Sequence, residues 1–380
     1  MTEHMNQNLL RLEPRDPNRY LTLAKETEDC ILLTTGEPDF GISDVVKTNV
    51  TRALNLGQTH YTDSVGAPRI RIAISDFEKR TMNLDYSPDE VIATAGSTEA
   101  IYLALTGILN PGDEVVIPVP AIGLYETVVR LSGAVPVYLN TCEDGFQINA
   151  EKLTELITDK TKAVIVNSPN NPTGVLYTRE SLQAIHDAVA GKPVFVLCDD
   201  AYNRVVYDDL TCLSFPALYP DLRDQVLVAQ SFSNSYAMAG FRIGYLMGAQ
   251  AVISKLTLLH SSVVNSIVNF IQDPAIEALH SDIMGMVWAY DSRRKFVCEK
   301  LDKLGLEYTV PQGGFYVFPS IAKYGMDSAT FCTRLIQEAK VAVLPGICFD
   351  AEGYVRISYS SPLGSLRAGM NRFEDFLNGL

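Results

Sequence analysis

Four short polar segments carry the groups that could do chemistry. They are Gly96–Ser97–Thr98, Asn167–Gly174 (NSPNNPTG), Asp199–Tyr202 (DDAY) and Ser231–Tyr245 (SFSNSYAMAGFRIGY). A glycine followed by two hydroxyl residues at a helix start offers free N–H groups, side-chain donors and the positive end of the helix dipole. That combination suits an anion. Ser231, Ser233 and Arg242 add further donors, and a guanidinium is a natural fork for a phosphate. Asp199 closes an apolar run, where a carboxylate without a cation is costly. A protonated pyridine nitrogen would be a suitable partner and would stay protonated because of it. Asn171 and Tyr202 could each hydrogen-bond an oxygen on the same ring. Taken singly, each feature has a plainer reading: a helix cap, a turn, a turn cap, a packing aromatic.

The elements around these segments alternate. Glu90–Ala95, Glu114–Pro118, Lys162–Asn167, Pro193–Asp199 and Gln225–Gln230 read as strands. Ser97–Leu109, Gly123–Leu131 and Arg179–Val189 read as helices between them. The strands are unbroken apolar runs, so both faces should be covered. Such alternation builds a mostly parallel sheet flanked by helices, with ligands beyond the carboxyl ends of the strands. The polar segments fall at those ends. From about Ser281 the pattern changes to a long charged helix, Ile283–Leu304. Short strands follow around Tyr308, Phe315–Phe318, Val341–Leu344 and Tyr354–Tyr359. We expect a large α/β domain over residues 46–280. A smaller α+β domain is expected from residues 1–45 and 281–380.

Composition narrows the functional classes. Of the 380 residues, 47% are hydrophobic and 20% charged, as in a soluble globular protein. No apolar run approaches the roughly 18 residues of a membrane span, and the N-terminus has no signal-peptide core. The seven cysteines, without CxxC pairs, argue for a reduced cytoplasmic protein and against a structural metal site. A net charge of −14 disfavours nucleic acid and anionic membranes as partners.

Read together, the segments resemble the class I/II aminotransferases, the fold-type-I pyridoxal-phosphate (PLP) enzymes. GEPDF (Gly36–Phe40), THYTDSVG (Thr59–Gly66), NNPTG, DDAY, the SFSxSYAMAGFRIGY run and YVRISYS (Tyr354–Ser360) occur in family order across nearly the whole chain. The resemblance implies PLP as cofactor and an amino acid as substrate. Arg356 then matches the arginine that grips the substrate α-carboxylate, and Gly36 lies where the N-terminal loop approaches it. Tyr61 matches a tyrosine that reaches the phosphate of a neighbouring subunit, which implies a homodimer with shared sites. Its alternative is a core aromatic of its own subunit.

The sequence departs from the family in several places. Asn234 stands where the family has its Schiff-base lysine, and a neutral amide can neither bond the cofactor nor carry the proton. The rest of that motif is intact, so we read a single Lys→Asn replacement in an otherwise complete site, inactive or trapped. The rivals are a lysine-free enzyme that holds PLP noncovalently and a non-catalytic binding protein. Ala121–Ile122 lacks the aromatic that stacks on the ring, leaving Ile122 to cover it. Thr98 replaces a lysine of some aspartate-preferring relatives. The loop from Pro345 to Tyr354 looks short, which opens or reshapes the pocket. Aminotransfer to a 2-oxo acid is the leading reading. Elimination and cyclisation of a hydroxylated arginine-type substrate is the second. Glu13, Arg15 and His60 are weaker candidates for substrate contacts.

Overall fold

A computed structural model describes residues 2–12 and 17–380. Glu13 and Arg15 lie outside the described residues. Strand β1 (Ile31–Leu32) belongs to the C-terminal part of the molecule. The main sheet takes the next seven: β2 (Val91–Thr94), β3 (Glu114–Val119), β4 (Val135–Asn140), β5 (Thr161–Asn167), β6 (Phe195–Asp199), β7 (Val226–Ser231) and β8 (Gly244–Gly248). Their order is β2-β8-β7-β6-β5-β3-β4, parallel except for β8, which runs antiparallel to both neighbours.

Alternation along each strand supplies two cores. Val164, Val166, Val196, Cys198, Val226 and Val228 pack into one apolar cluster. Ala163, Ile165, Leu197, Leu227 and Ala229 pack into another on the opposite face. Successive side chains point to opposite faces, so a strand covered on both sides must be apolar throughout. This is why these segments read as unbroken hydrophobic runs.

Three strands, the short β1 and the main-sheet strands β4 and β8, are absent from the sequence expectation, and one expected strand does not form. β4 has a proline and an exposed valine at its start because it is the sheet edge. β8 is a five-residue strand bounded by glycines. Gly244 sits opposite both Thr94 and Ser231, and a Cβ there would lie 2.4 Å from the Gln230 carbonyl oxygen. Around Tyr308 there is no strand; the segment after Gly305 runs irregularly, and the Tyr308 hydroxyl donates to Asp302 at 2.8 Å.

The C-terminal part holds β9 (Tyr316–Val317), β10 (Val341–Ala342), β11 (Leu344–Pro345) and β12 (Val355–Ser358). The strands β11-β12-β9 form an antiparallel sheet, and β1 pairs in parallel with β10. Helix Pro17–Glu26 packs there through buried Tyr20 and Ala24, whereas helix Gln7–Leu10 lies against helix Gly123–Leu131. The seam between the two parts is backbone against backbone. Gln312 and Gly313 donate their N–H groups to the Gly174 carbonyl at 2.7 and 2.9 Å. A Cβ on Gly174, whose φ is +73°, would lie 2.5 Å from Pro311.

Candidate active site

The carboxyl ends of β5 and β6 place Asn167 beside Asp199, and β7 ends at Ser231, two residues beyond Ala229, the partner of Asp199. The reversal into β8 then carries Arg242 back to the start of helix Ser97–Ile108. The Arg242 guanidinium donates to the carbonyls of Ala95 (3.2 Å) and Ala239 (2.9 Å). It lies so close to Gly96 that a Cβ there would meet Nη2 at 2.8 Å. Gly96 has φ +88°, a conformation glycine adopts without strain. The helix therefore opens with bare backbone beside a guanidinium.

A cavity of ≈ 570 Å³ lies over these ends. Its walls include Gly36, Ser97, Thr98, Ile122, Asn171, Asp199, Tyr202, Ser231, Ser233, Asn234 and Arg242. Gaps of 24 residues or more separate these four segments in sequence, and the sheet edge brings them together. A second cavity of ≈ 750 Å³ adjoins it and shares Leu21, Thr34, Gly36, Ile122 and Leu124. Arg356 lines this second space with Phe349 and Leu344. Two expected residues lie elsewhere. Tyr61 is 83% exposed, which excludes the core-aromatic alternative. His60 is exposed and lines neither cavity.

Asp199 is buried, and among the described residues no cation bonds its carboxylate. Oδ2 accepts from the Tyr125 hydroxyl at 2.6 Å, and Oδ1 from the Ala201 N–H at 3.3 Å. Burial pushes this carboxyl above its ordinary range, and these two donors pull it only part of the way back. Tyr202 is buried too, and its hydroxyl lies 3.1 Å from that of Tyr316. Burial holds both phenols in their neutral, hydrogen-donating form.

At the other end Arg356 is fixed from several sides. Nη1 donates to Asn171 Oδ1 at 3.0 Å and Nη2 to the Thr34 carbonyl at 2.8 Å. Its guanidinium carbon stands 4.2 Å from the Tyr316 ring centroid and 5.1 Å from that of Phe349. Nε is buried, with no hydrogen-bond partner among the described residues. The short loop after Pro345 does not open the pocket: it turns Phe349 inward, and the Phe349 carbonyl accepts from Ala121 N–H at 3.1 Å. Asn234 is 6% exposed, and its amide donates to the Ala201 carbonyl at 3.3 Å.

Three residues that complete the site were not singled out from sequence. Asn167 braces two motifs, donating to the Asp199 carbonyl (3.0 Å) and accepting from the Asn171 N–H (2.9 Å). Tyr125 holds Asp199, and its place in the first turn of the helix after β3 was the available signal. Tyr316 sits in GGFYVFP, with nothing local to mark it.

The donors at one end, the uncompensated carboxylate at the other and the space between fit a phosphorylated pyridine. The fold and this cleft define a PLP-dependent enzyme of fold type I. Residues 28–372 match the family described as aminotransferase class I and II, and the chain belongs to that family. It is 36% identical over 365 residues to an aspartate aminotransferase of Pyrococcus horikoshii, covering 94% of this chain and 93% of that one. It is 35% identical over 382 residues to a probable N-acetyl-LL-diaminopimelate aminotransferase of Bacillus subtilis, covering 99% and 96%. The solved aromatic aminotransferase from Pyrococcus horikoshii superposes with a TM-score of 0.90 at 34% identity, covering 95% and 99%. No helix among the described residues is long and apolar enough to cross a membrane.

Proposed function

We propose that this chain is a lysine-lacking form of an enzyme that transfers the amino group of an L-amino acid to a 2-oxo acid. The observation that carries this reading is the buried Asp199 carboxylate, which faces the cavity with a phenol and, among the described residues, no cation to balance it. PLP supplies a carbonyl for the amino group and an electron-withdrawing ring that acidifies the substrate Cα–H. Asp199 would hold the ring nitrogen as a cation, with Tyr125 fixing the carboxylate. Tyr202 and Asn171 would donate to the ring oxygen. Ser97, Thr98, Ser231, Ser233 and Arg242 would hold the phosphate, and Ile122 would cover the ring face.

Arg356 would take the substrate α-carboxylate, with Gly36 leaving room beside it. Its buried, partnerless Nε supports this, because an arginine edge presents paired donors to a carboxylate. Asn234 would hold no proton: an amide oxygen is too weak a base to accept one from Cα near neutral pH. The neighbouring groups keep their shape, which supports a single replacement in a complete site. The large unit would span residues 46–280, and the rest would form the small one, supported by the pairing of β1 with β10. The exposed side chain of Tyr61 supports a homodimer in which it reaches a neighbouring phosphate. Seven free thiols support a cytoplasmic setting.

The deciding experiment restores lysine with Asn234→Lys, adds PLP, and supplies amino acids with and without a 2-oxo acid acceptor. Acceptor-dependent formation of a new oxo acid supports aminotransfer. Product from an arginine derivative without acceptor would instead establish elimination or cyclisation. Absence of both, with PLP bound, removes the enzyme reading.

A further inference from the structure

Behind the start of helix Ser97–Ile108 lies a side-chain pair that the site chemistry does not use. His260, on helix Gln250–Val263, is fully buried. Its Nδ1 lies 2.7 Å from Glu99 Oε1, and its Nε2 lies 2.7 Å from the Ser64 carbonyl. Glu99 stands in the first turn of the helix, and its other oxygen accepts from the Ala95 N–H. The Ala95 carbonyl in turn holds Arg242. Both nitrogens of the ring face oxygens, so the ring is placed to bridge Glu99 and the Ser64 carbonyl.

Position makes this matter. An acidic side chain in a first turn normally gains from the helix dipole. Here the same turn presents Ser97 and Thr98 to the cavity, so a bare Glu99 carboxylate would repel any anion held there. The far side of the pair holds another segment. Ser64 belongs to the loop containing Tyr61, and that loop is pinned at further points. Asn269 donates to the His60 carbonyl at 3.0 Å. Gln272, completely buried, donates to Thr62 at 3.0 Å and accepts from Ala67 at 2.9 Å.

We propose that His260 and Glu99 are positioning residues for the cofactor phosphate: Glu99 anchors the helix start, and His260 cancels its charge while tying it to the Tyr61 loop. This rests on the reading that the phosphate lies at Gly96–Thr98 and Arg242.

Asn234 forms no covalent bond with the cofactor, so binding can be read as a simple equilibrium by absorbance or fluorescence titration. Pyridoxal, which lacks the phosphate, serves as the control ligand. The parent chain is expected to bind PLP at least about tenfold more tightly than pyridoxal. Equal affinities would remove the phosphate-site reading itself. His260→Gln should weaken PLP by about tenfold or more, because it leaves the Glu99 charge uncancelled beside the phosphate. Its pyridoxal affinity should stay within about twofold. The double variant His260→Gln/Glu99→Gln should recover PLP binding to within about threefold of the parent. Glu99→Gln alone, which keeps the shape and removes the charge, should also stay within about threefold. Equal losses for both ligands in His260→Gln, no loss of PLP, no recovery in the double variant, or a tenfold loss in Glu99→Gln each overturn the proposal.

Discussion

The two ends of the paired cavities are built on opposite electrostatic plans. Under the ring end lie buried acids: Asp199, with Asp200 and Glu78 behind it, all pushed upward mainly by burial. At the other end stands Arg356, stacked on Tyr316 and tied to Asn171 and Thr34, while Arg130 on the same wall is paired with Glu126. A zwitterionic amino acid bound to a cationic ring matches that layout, carboxylate to arginine and positive ring to acid. The ends also differ in origin. One is made of residues at neighbouring strand ends, the other of pieces from the N-terminal segment, the main sheet's loops and the C-terminal sheet.

The largest test of this contrast is Asn234→Lys. If the ring end is complete apart from one side chain, turnover should rise by about three orders of magnitude or more, measured as oxo acid formed. A restored lysine with no turnover would mean that the acids are arranged for something else.

The acidic floor should also write itself into stability. The Glu78 carboxyl is raised from 4.5 to about 7 by burial, despite its bond from Tyr245 and the nearby Arg204. Its folded form thus binds a proton more tightly than its unfolded form. That contribution is present below about pH 4.5 and is lost as pH rises toward 7, by roughly 3 kcal/mol. Urea melts at pH 5 and pH 8 should show this fall, and Glu78→Gln should flatten it. An unchanged slope in that variant would assign the dependence to Asp199 and Asp200 instead.

At the cationic end, Arg356→Lys keeps the charge but loses the fork and the stacking. Affinity for a carboxylate substrate analogue should drop about tenfold to thirtyfold by calorimetry, or roughly 1.5–2 kcal/mol. The mildest change is Tyr316→Phe. It keeps the ring under Arg356 and removes the hydroxyl beside Tyr202, so affinity should shift by about 1 kcal/mol or less. A loss larger than that of Arg356→Lys would rank the Tyr316 hydroxyl above the guanidinium fork.

The ring end was legible in sequence because each of its groups sits where a strand stops, and strand ends are marked locally. An apolar run followed by DDAY or NSPNNPTG announces itself. Helices Gly123–Leu131 and Arg179–Val189 were readable for the same reason. The substrate end was only partly legible. Arg356 was found through its motif, but Tyr316, Phe349 and Leu21 converge on the site through tertiary packing that no local pattern encodes. β8 was hidden inside a motif rich in chemistry, and β4 by its edge composition. The expected strand near Tyr308 failed because its segment must thread past Pro311 and two glycines to reach β9.

In that passage Gly174 meets Gln312 and Gly313 main chain to main chain, with only rigid proline rings beside them. Methyl groups added at Gly174 or Gly313 would act as wedges, since each would strike proline carbon at 2.5 Å and carbonyl oxygen at 2.7 Å. The contact lies a few residues along the chain from both Asn171 and Tyr316. A small prising apart at this point would loosen the arginine clasp first.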